Sequence, residues 1–248
     1  MKAMVLAAGL GTRLRPLTND RPKALVTVAG RTMLEIALAR LRNFGVTEVI
    51  VNTHHYAEKI SQYLLANGNF GMRIEISHEE ELLDTGGGLK KAAWFFLDGG
   101  QQEPFIVHNV DVISTIDLAR MMQLHKERGA LATLAMQDRE TKRYLLFDEK
   151  SLLCGRRAGG DGEPELVRTV PAAEALAFCG IHILSPRIFA EITETGVFSI
   201  INAYLRLAAQ GESIAAFRAD ACRWRDLGRP EAVAQAVQDL ESGEFSAS

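Results

Sequence analysis

Residues 6–18 read Leu-Ala-Ala-Gly-Leu-Gly-Thr-Arg-Leu-Arg-Pro-Leu-Thr, and Arg21-Pro-Lys-Ala-Leu25 follows close behind, so two glycines stand beside four cations. At Gly9 and Gly11 no side chain shields the backbone, and N–H groups there can close on phosphate oxygens. Arg13 offers a planar fork able to grip a pyrophosphate. Lys23 offers a compact charge that can follow phosphate negativity as it moves. The combination points to nucleoside triphosphate chemistry; a bare βα turn would need the glycines but not Arg13, Arg15, Arg21 and Lys23 gathered around them. Two other phosphate loops are excluded, because GxxxxGK[ST] does not occur and Leu14 occupies the third glycine position of GxGxxG. Farther along, Asp111 comes just after an apolar strand-like run, Phe105–His108, and Asp226 follows another, Cys222–Arg225. Acids at the carboxyl edge of a parallel sheet, beside phosphates, make an oxygen-rich site for Mg²⁺.

The elements that must position these groups follow from apolar periodicity. Met4–Ala8 reads as a buried strand, Arg31–Phe44 as a helix, Glu48–Val51 as a strand and Ala57–Ala66 as a helix. A strand over Arg73–Ile76, a helix over Gly88–Phe96, a helix over about Leu118–Arg128 and a strand over Leu131–Met136 continue the alternation. The stretch Gln137–Ala173 is less regular and concentrates loops, with Gly155–Pro164 as an exposed hairpin tip. Leu176–Leu184, Ser213–Phe217 and Cys222–Arg225 read as strands; Pro186–Ile192, Ile200–Gln210 and Pro230–Leu240 read as helices. Strands crossing over through helices imply an α/β fold with a mostly parallel sheet. Trp94, Phe95 and Phe96 are expected in the core, His108 is expected to pack beside the site, and His54 and His55 lack metal-ligand spacing.

The run from Leu6 to Thr18 with RPKAL behind it resembles the signature of the sugar-1-phosphate nucleotidyltransferases (nucleotide-diphospho-sugar pyrophosphorylases), roughly LAAGxGTRLxPLTxxxPKxLxPV. The similarity extends through Thr85-Gly-Gly-Gly88, Asp111, Gly180-Ile-His-Ile-Leu-Ser-Pro186 and Trp224-Arg-Asp-Leu-Gly228, nearly the whole chain. Its implied fold is a three-layer α/β/α sandwich around a mixed, mostly parallel sheet, with a Rossmann-like N-terminal half. The expected organisation is one domain over 1–248, with a nucleotide-binding half, 1–115, and a sugar-binding half, 116–248. The implied activity is Mg²⁺-dependent attack of a sugar 1-phosphate on the α-phosphorus of an NTP. By the resemblance, Arg13, Lys23 and Asp111 are catalytic, and Asp111 and Asp226 hold the metal. Ala7, Ala8, Gly9, Gly11, Thr12, Glu79, Thr85, Gly86 and Gly87 bind the nucleotide; Asn109, Gly180 and Arg168 bind the sugar phosphate. A carboxylate at Glu79 accepts but cannot donate, which favours UTP or GTP over ATP. Three departures stand out: Thr27 replaces a proline, Val110 replaces the glycine before the acid, and Val167-Arg-Thr-Val-Pro171 lacks the lysine of a Glu-Lys-Pro triplet.

At 248 residues, 47% hydrophobic and 24% charged, the chain can bury a sizeable core, and a net charge of -3 excludes a general field for nucleic acid or anionic lipid. Three scattered cysteines make neither a disulfide framework nor a zinc site, and no apolar run reaches a membrane span. A cytoplasmic protein, monomer or homodimer, is expected. Transfer to a non-sugar phosphate such as phosphocholine by a cytidylyltransferase, and a non-catalytic nucleotide sensor, stay open on the sequence alone.

Overall fold

A computed structural model describes residues 1–98, 103–159, 162–243 and 245. The chain runs through β1 (Lys2–Leu6), a small ribbon of β2 (Thr27–Val28) and β3 (Arg31–Thr32), α1 (Met33–Asn43), β4 (Glu48–Thr53), α2 (Ala57–Ala66), β5 (Arg73–His78), α3 (Asp84–Lys91) and α4 (Ala93–Leu97). It continues through β6 (Phe105–Asn109), β7 (Val112–Ser114), α5 (Leu118–Glu127), β8 (Ala132–Gln137), β9 (Arg143–Phe147), β10 (Leu153–Ala158) and β11 (Glu165–Leu166). The last elements are β12 (Glu174–Leu184), α6 (Ile188–Glu191), α7 (Ile200–Ala209), β13 (Ile214–Arg218), β14 (Trp224–Asp226) and α8 (Pro230–Glu241). Helix starts follow side-chain chemistry: Thr32, Asp117 and Ser199 each accept an N–H of the first turn of α1, α5 and α7, and Pro230 opens α8.

Strands β6, β1, β4 and β5 pair in that order, all parallel, which is the Rossmann-like portion. The sheet then continues through β12, antiparallel to β6, to β9, β10 and β11, while β8 and β13 extend from the other edge of β12. Both faces are covered. Ala3 and Val5 of β1 pack with α1, α2, α5 and α8; Met4 turns the other way to pack with α3, α4, α6 and α7. Alternation along one strand thus yields the three expected layers. Among the described residues no helix is long and apolar enough to cross a membrane.

Three expectations are corrected. Gln137–Ala173 is more regular than expected, since it contains β9, β10 and β11, whose short strands carry so many charged residues that apolar period is lost. The hairpin tip there begins only after Ala158, because Gly155 and Arg156 pair with Leu166 and Glu165; residues 160–161 of the tip lie outside the described residues. The helix expected over Gly88–Phe96 starts earlier and is split into α3 and α4, and Trp94 on α4 is 51% exposed rather than core. Phe95 and Phe96 are buried as expected.

Candidate active site

The first loop owes its shape to Gly11. Its φ of 65° is left-handed, and a β-carbon there would stand 3.0 Å from Thr18 Cγ2 and 3.2 Å from Lys23 Cβ. The Gly11 carbonyl accepts Leu14 N and Thr18 Oγ1, both at 2.9 Å, so the chain folds back on itself between residues 11 and 18. From outside, Tyr56 Oη donates to Asn19 O at 2.9 Å and Lys59 Nζ to Asp20 O at 2.5 Å. The loop so braced brings Lys23 Nζ to 2.8 Å from Asp111 Oδ2, with both side chains largely buried.

Asp111 and Asp226 are brought together by a ribbon that periodicity did not reveal. β7 pairs antiparallel with β14, Val112 opposite Asp226, and Leu227 N donates to Asp111 O at 2.8 Å. Arg40 of α1, half-buried, donates to the carbonyls of Ser114 and Ile116 at and just past the end of β7; desolvation of its guanidinium lowers its pKa to about 10. Val110 is accommodated: it is buried with an ordinary negative φ, and its N–H donates to Leu6 O at 3.1 Å. Neighbouring His108 packs as expected, its pKa lowered to about 4 by burial. Lys23 takes one oxygen of Asp111 and the Gly228 amide, at 2.6 Å, takes Asp226 Oδ1. Each carboxylate keeps an oxygen for a cation, and no cluster of three or more His, Cys, Asp or Glu able to hold a metal occurs among the described residues. A pair of carboxylates completed by phosphate oxygens and waters is the donor set that suits Mg²⁺.

On the base side the structure revises the expected contacts. Glu79 is 1% exposed and both its oxygens are engaged, Oε1 accepting from Asn52 Nδ2 at 2.7 Å and Oε2 from Leu83 N at 2.9 Å. Asn52 Oδ1 in turn accepts Ala7 N at 2.7 Å. Glu79 therefore ties β5 to β4, the first loop and the entry of α3. The three glycines that follow serve packing. A β-carbon on Gly86 would meet the Phe198 ring at 2.3 Å, one on Gly87 the Gly196 carbonyl at 2.5 Å, and one on Gly88 Glu79 Oε1 at 2.6 Å. The amides of Gly86 and Gly87 donate to Phe198 O, and Thr85 Oγ1 accepts Ile200 N, so neither glycine amide is turned to a base.

A cavity of about 480 Å³ is lined by Ala8, Gly9, Arg13, Lys23, Asn52, Glu79, Thr85, Asn109, Asp111 and Asp226, together with Leu82, Asp84, Arg143 and Val197. A second, of about 770 Å³, contains Gly180, Arg139, Lys142, Tyr144, Arg156, Arg157, Phe178 and Trp224. Asn109, Arg143 and Asp226 line both. The second opens where one edge of β12 changes partner, from β6 at Ile181–Leu184 to β9 at Glu174–Ala177. Gly180 makes that break, with φ 73° and with Asn109 and Val112 against it. Ala7, Gly11, Thr12, Gly86, Gly87 and Arg168 line neither cavity. Arg168 is corrected outright: its guanidinium bonds Asp148 Oδ2 at 2.8 Å and the Leu153 carbonyl at 3.1 Å. Sequence reasoning missed Asn52, Arg139, Arg143 and Arg157; only the cation-rich stretch 139–157 signalled three of them.

This geometry can be set against known proteins. Residues 2–150 match the family model described as nucleotidyl transferase. The chain is 38% identical over 239 residues to the N-acetylmuramate alpha-1-phosphate uridylyltransferase of Caulobacter vibrioides, covering 93% of each. It is 32% identical to the probable mannose-1-phosphate guanylyltransferase 3 of Oryza sativa subsp. japonica, covering 93% of this chain and 62% of that one. In fold it resembles a UDP-glucose pyrophosphorylase crystallised with UDP-glucose, with TM-score 0.76, 19% identity, and 97% and 98% of the two chains covered. The signature loop, the paired acids and these matches agree, and the chain belongs to the nucleotidyl transferase family.

Proposed function

We propose that the chain joins an NTP to a sugar 1-phosphate, making an NDP-sugar and pyrophosphate, with residues 1–115 holding the nucleotide and 116–248 the sugar. The observation that carries this reading is the junction of two cavities at Asn109, Arg143 and Asp226, next to the Lys23–Asp111 pair. An oxygen of the acceptor phosphate attacks the α-phosphorus; the bond from that phosphorus to the oxygen bridging to the β-phosphorus breaks, and pyrophosphate leaves. The nucleophile is already an anion, so alignment and charge neutralisation suffice and no general base is needed. Arg13 holds the departing pyrophosphate, Lys23 the α-phosphate, and Arg143 with Asn109 the acceptor phosphate. Asp111 and Asp226 are the residues that would hold Mg²⁺, which supplies positive charge against the crowded phosphate oxygens. The Caulobacter relative supports UTP as donor and N-acetylmuramate α-1-phosphate as the first acceptor to try. Pyrophosphate release over a matrix of UTP, GTP, CTP and dTTP against several sugar 1-phosphates tests the proposal; no release with any pair refutes it.

A further inference from the structure

Four cations of the acceptor cavity, Arg139, Lys142, Arg143 and Arg157, have no carboxylate partner among the described residues, although the chain as a whole is acidic. The fifth, Arg156, is paired with Glu165 at 2.6 Å and donates to Asn202 Oδ1 at 3.0 Å. Of the acids on the same wall, Glu165 is thus engaged, Asp226 belongs to the paired acids, and Glu163 alone is left to balance four charges. Arg143 sits at the junction, where the reacting phosphate must lie. Arg157 lines the acceptor cavity only.

Arg157 is held ready rather than free. Its guanidinium lies 5.2 Å from the centre of the Tyr144 ring, directly across the β9–β10 pair, and Tyr144 Oη is fixed by Thr141 N at 3.3 Å. Its Nε is buried without a hydrogen-bond partner. A planar fork parked on an aromatic face gives up little freedom on meeting a planar carboxylate at its terminal nitrogens. A sugar 1-phosphate with no second charged group offers no anion to this side chain once Arg143 has taken the phosphate.

We propose that Arg157, seated on Tyr144, binds a carboxylate carried by the sugar, so that the acceptor is a sugar 1-phosphate with a second acidic group. This rests on the nucleotidyl-transfer reading above. The test is pyrophosphate release with N-acetylmuramate 1-phosphate, whose lactyl ether is a carboxylic acid, against the primary amide of that same compound. The two differ in charge and hardly in size. The protein as it stands uses the acid with a kcat/KM about tenfold or more above the amide. Arg157→Gln loses most of its activity on the acid, and the acid-to-amide ratio falls to within about twofold. Turnover of the amide also reports that the variant is folded. Equal use of acid and amide by the unsubstituted protein overturns the inference, as does a ratio unchanged by Arg157→Gln. Absence of release with every donor and acceptor is a different failure, that of nucleotidyl transfer itself.

Discussion

Lys23 and Asp111, 88 positions apart, meet at 2.8 Å in the wall of the cavity beside the first loop. The lysine comes from the loop that Gly11 bends back, the aspartate from the turn after β6, so one ion pair fastens that loop to the sheet edge. Asp111→Asn keeps an oxygen for the lysine but removes the charge. The fold is expected to survive while turnover falls about a hundredfold or more, since the negative charge that would hold the cation beside the phosphates is lost. Pyrophosphate release and a thermal melt read the two effects; near-normal turnover would falsify the assignment of Asp111 to the metal.

Glu79 was expected to face the base and instead ties three segments together. Both oxygens accept, from Asn52 Nδ2 and Leu83 N, and an amide cannot accept at both ends. Glu79→Gln is therefore expected to lower stability by about 1–3 kcal/mol, leaving one buried donor opposed by another. The KM for the nucleotide should rise with it, because Asn52 also holds Ala7 N. Chemical denaturation with and without NTP measures both, and an unaltered midpoint would contradict the buried network.

Gly86 is a question of space. A methyl group there would fall 2.3–2.4 Å from the Phe198 ring and 2.9 Å from its carbonyl, which already accepts the Gly86 amide at 2.9 Å. Moving the ring alone leaves the Phe198 carbonyl, which is backbone and already bonded to the Gly86 amide. Gly86→Ala is expected to cost about 2 kcal/mol or more by overpacking and to loosen the contact between α3 and residues 196–199. Gly30, with nothing within 4 Å but a φ of 79°, provides a contrast: alanine there strains only the local turn. If the two alanine variants melt alike, α3 is not held by this contact.

Much of this was legible beforehand where local pattern and function agree. The parallel strands β1, β4 and β6 are short apolar runs and β5 alternates, all set among helices of clear period, and the glycines and cations around Gly11 and Lys23 mark the loop that the structure places beside a cavity with Asp111. Legibility failed where a residue's direction mattered more than its type. Glu79 and Arg168 had suitable chemistry, but one is turned inward to Asn52 and the other outward to Asp148. It failed too in β9 and β10, where Arg143, Arg156 and Arg157 interrupt the alternation that marks a strand. Those charges line the cavity beside Gly180, so the pattern is broken by residues that face that cavity and not the core.

Acid sensitivity follows from three buried histidines. Burial lowers the pKa of His108 and His125 to about 4 and that of His182 to about 3. His125 is held between Thr133 Oγ1 and Ser185 Oγ, and His182 contacts Tyr204 Oη at 2.8 Å. In the unfolded chain each titrates near 6.5, so below that pH the unfolded state binds protons that the folded state refuses. Their contribution is fully present above pH 6.5 and is lost as pH falls toward 4, at roughly 1.4 kcal/mol per pH unit for each histidine. Carboxylates held low by cationic partners, such as Glu194 beside Arg206, begin to weaken the fold only at lower pH. Denaturation midpoints measured from pH 7.5 to 5 should therefore drop steeply below 6.5. Replacing His125 by glutamine, which can bridge the same two hydroxyls without taking a proton, should flatten that slope by about one proton, whereas a slope identical to the parent would show that His125 already binds its proton in the folded state.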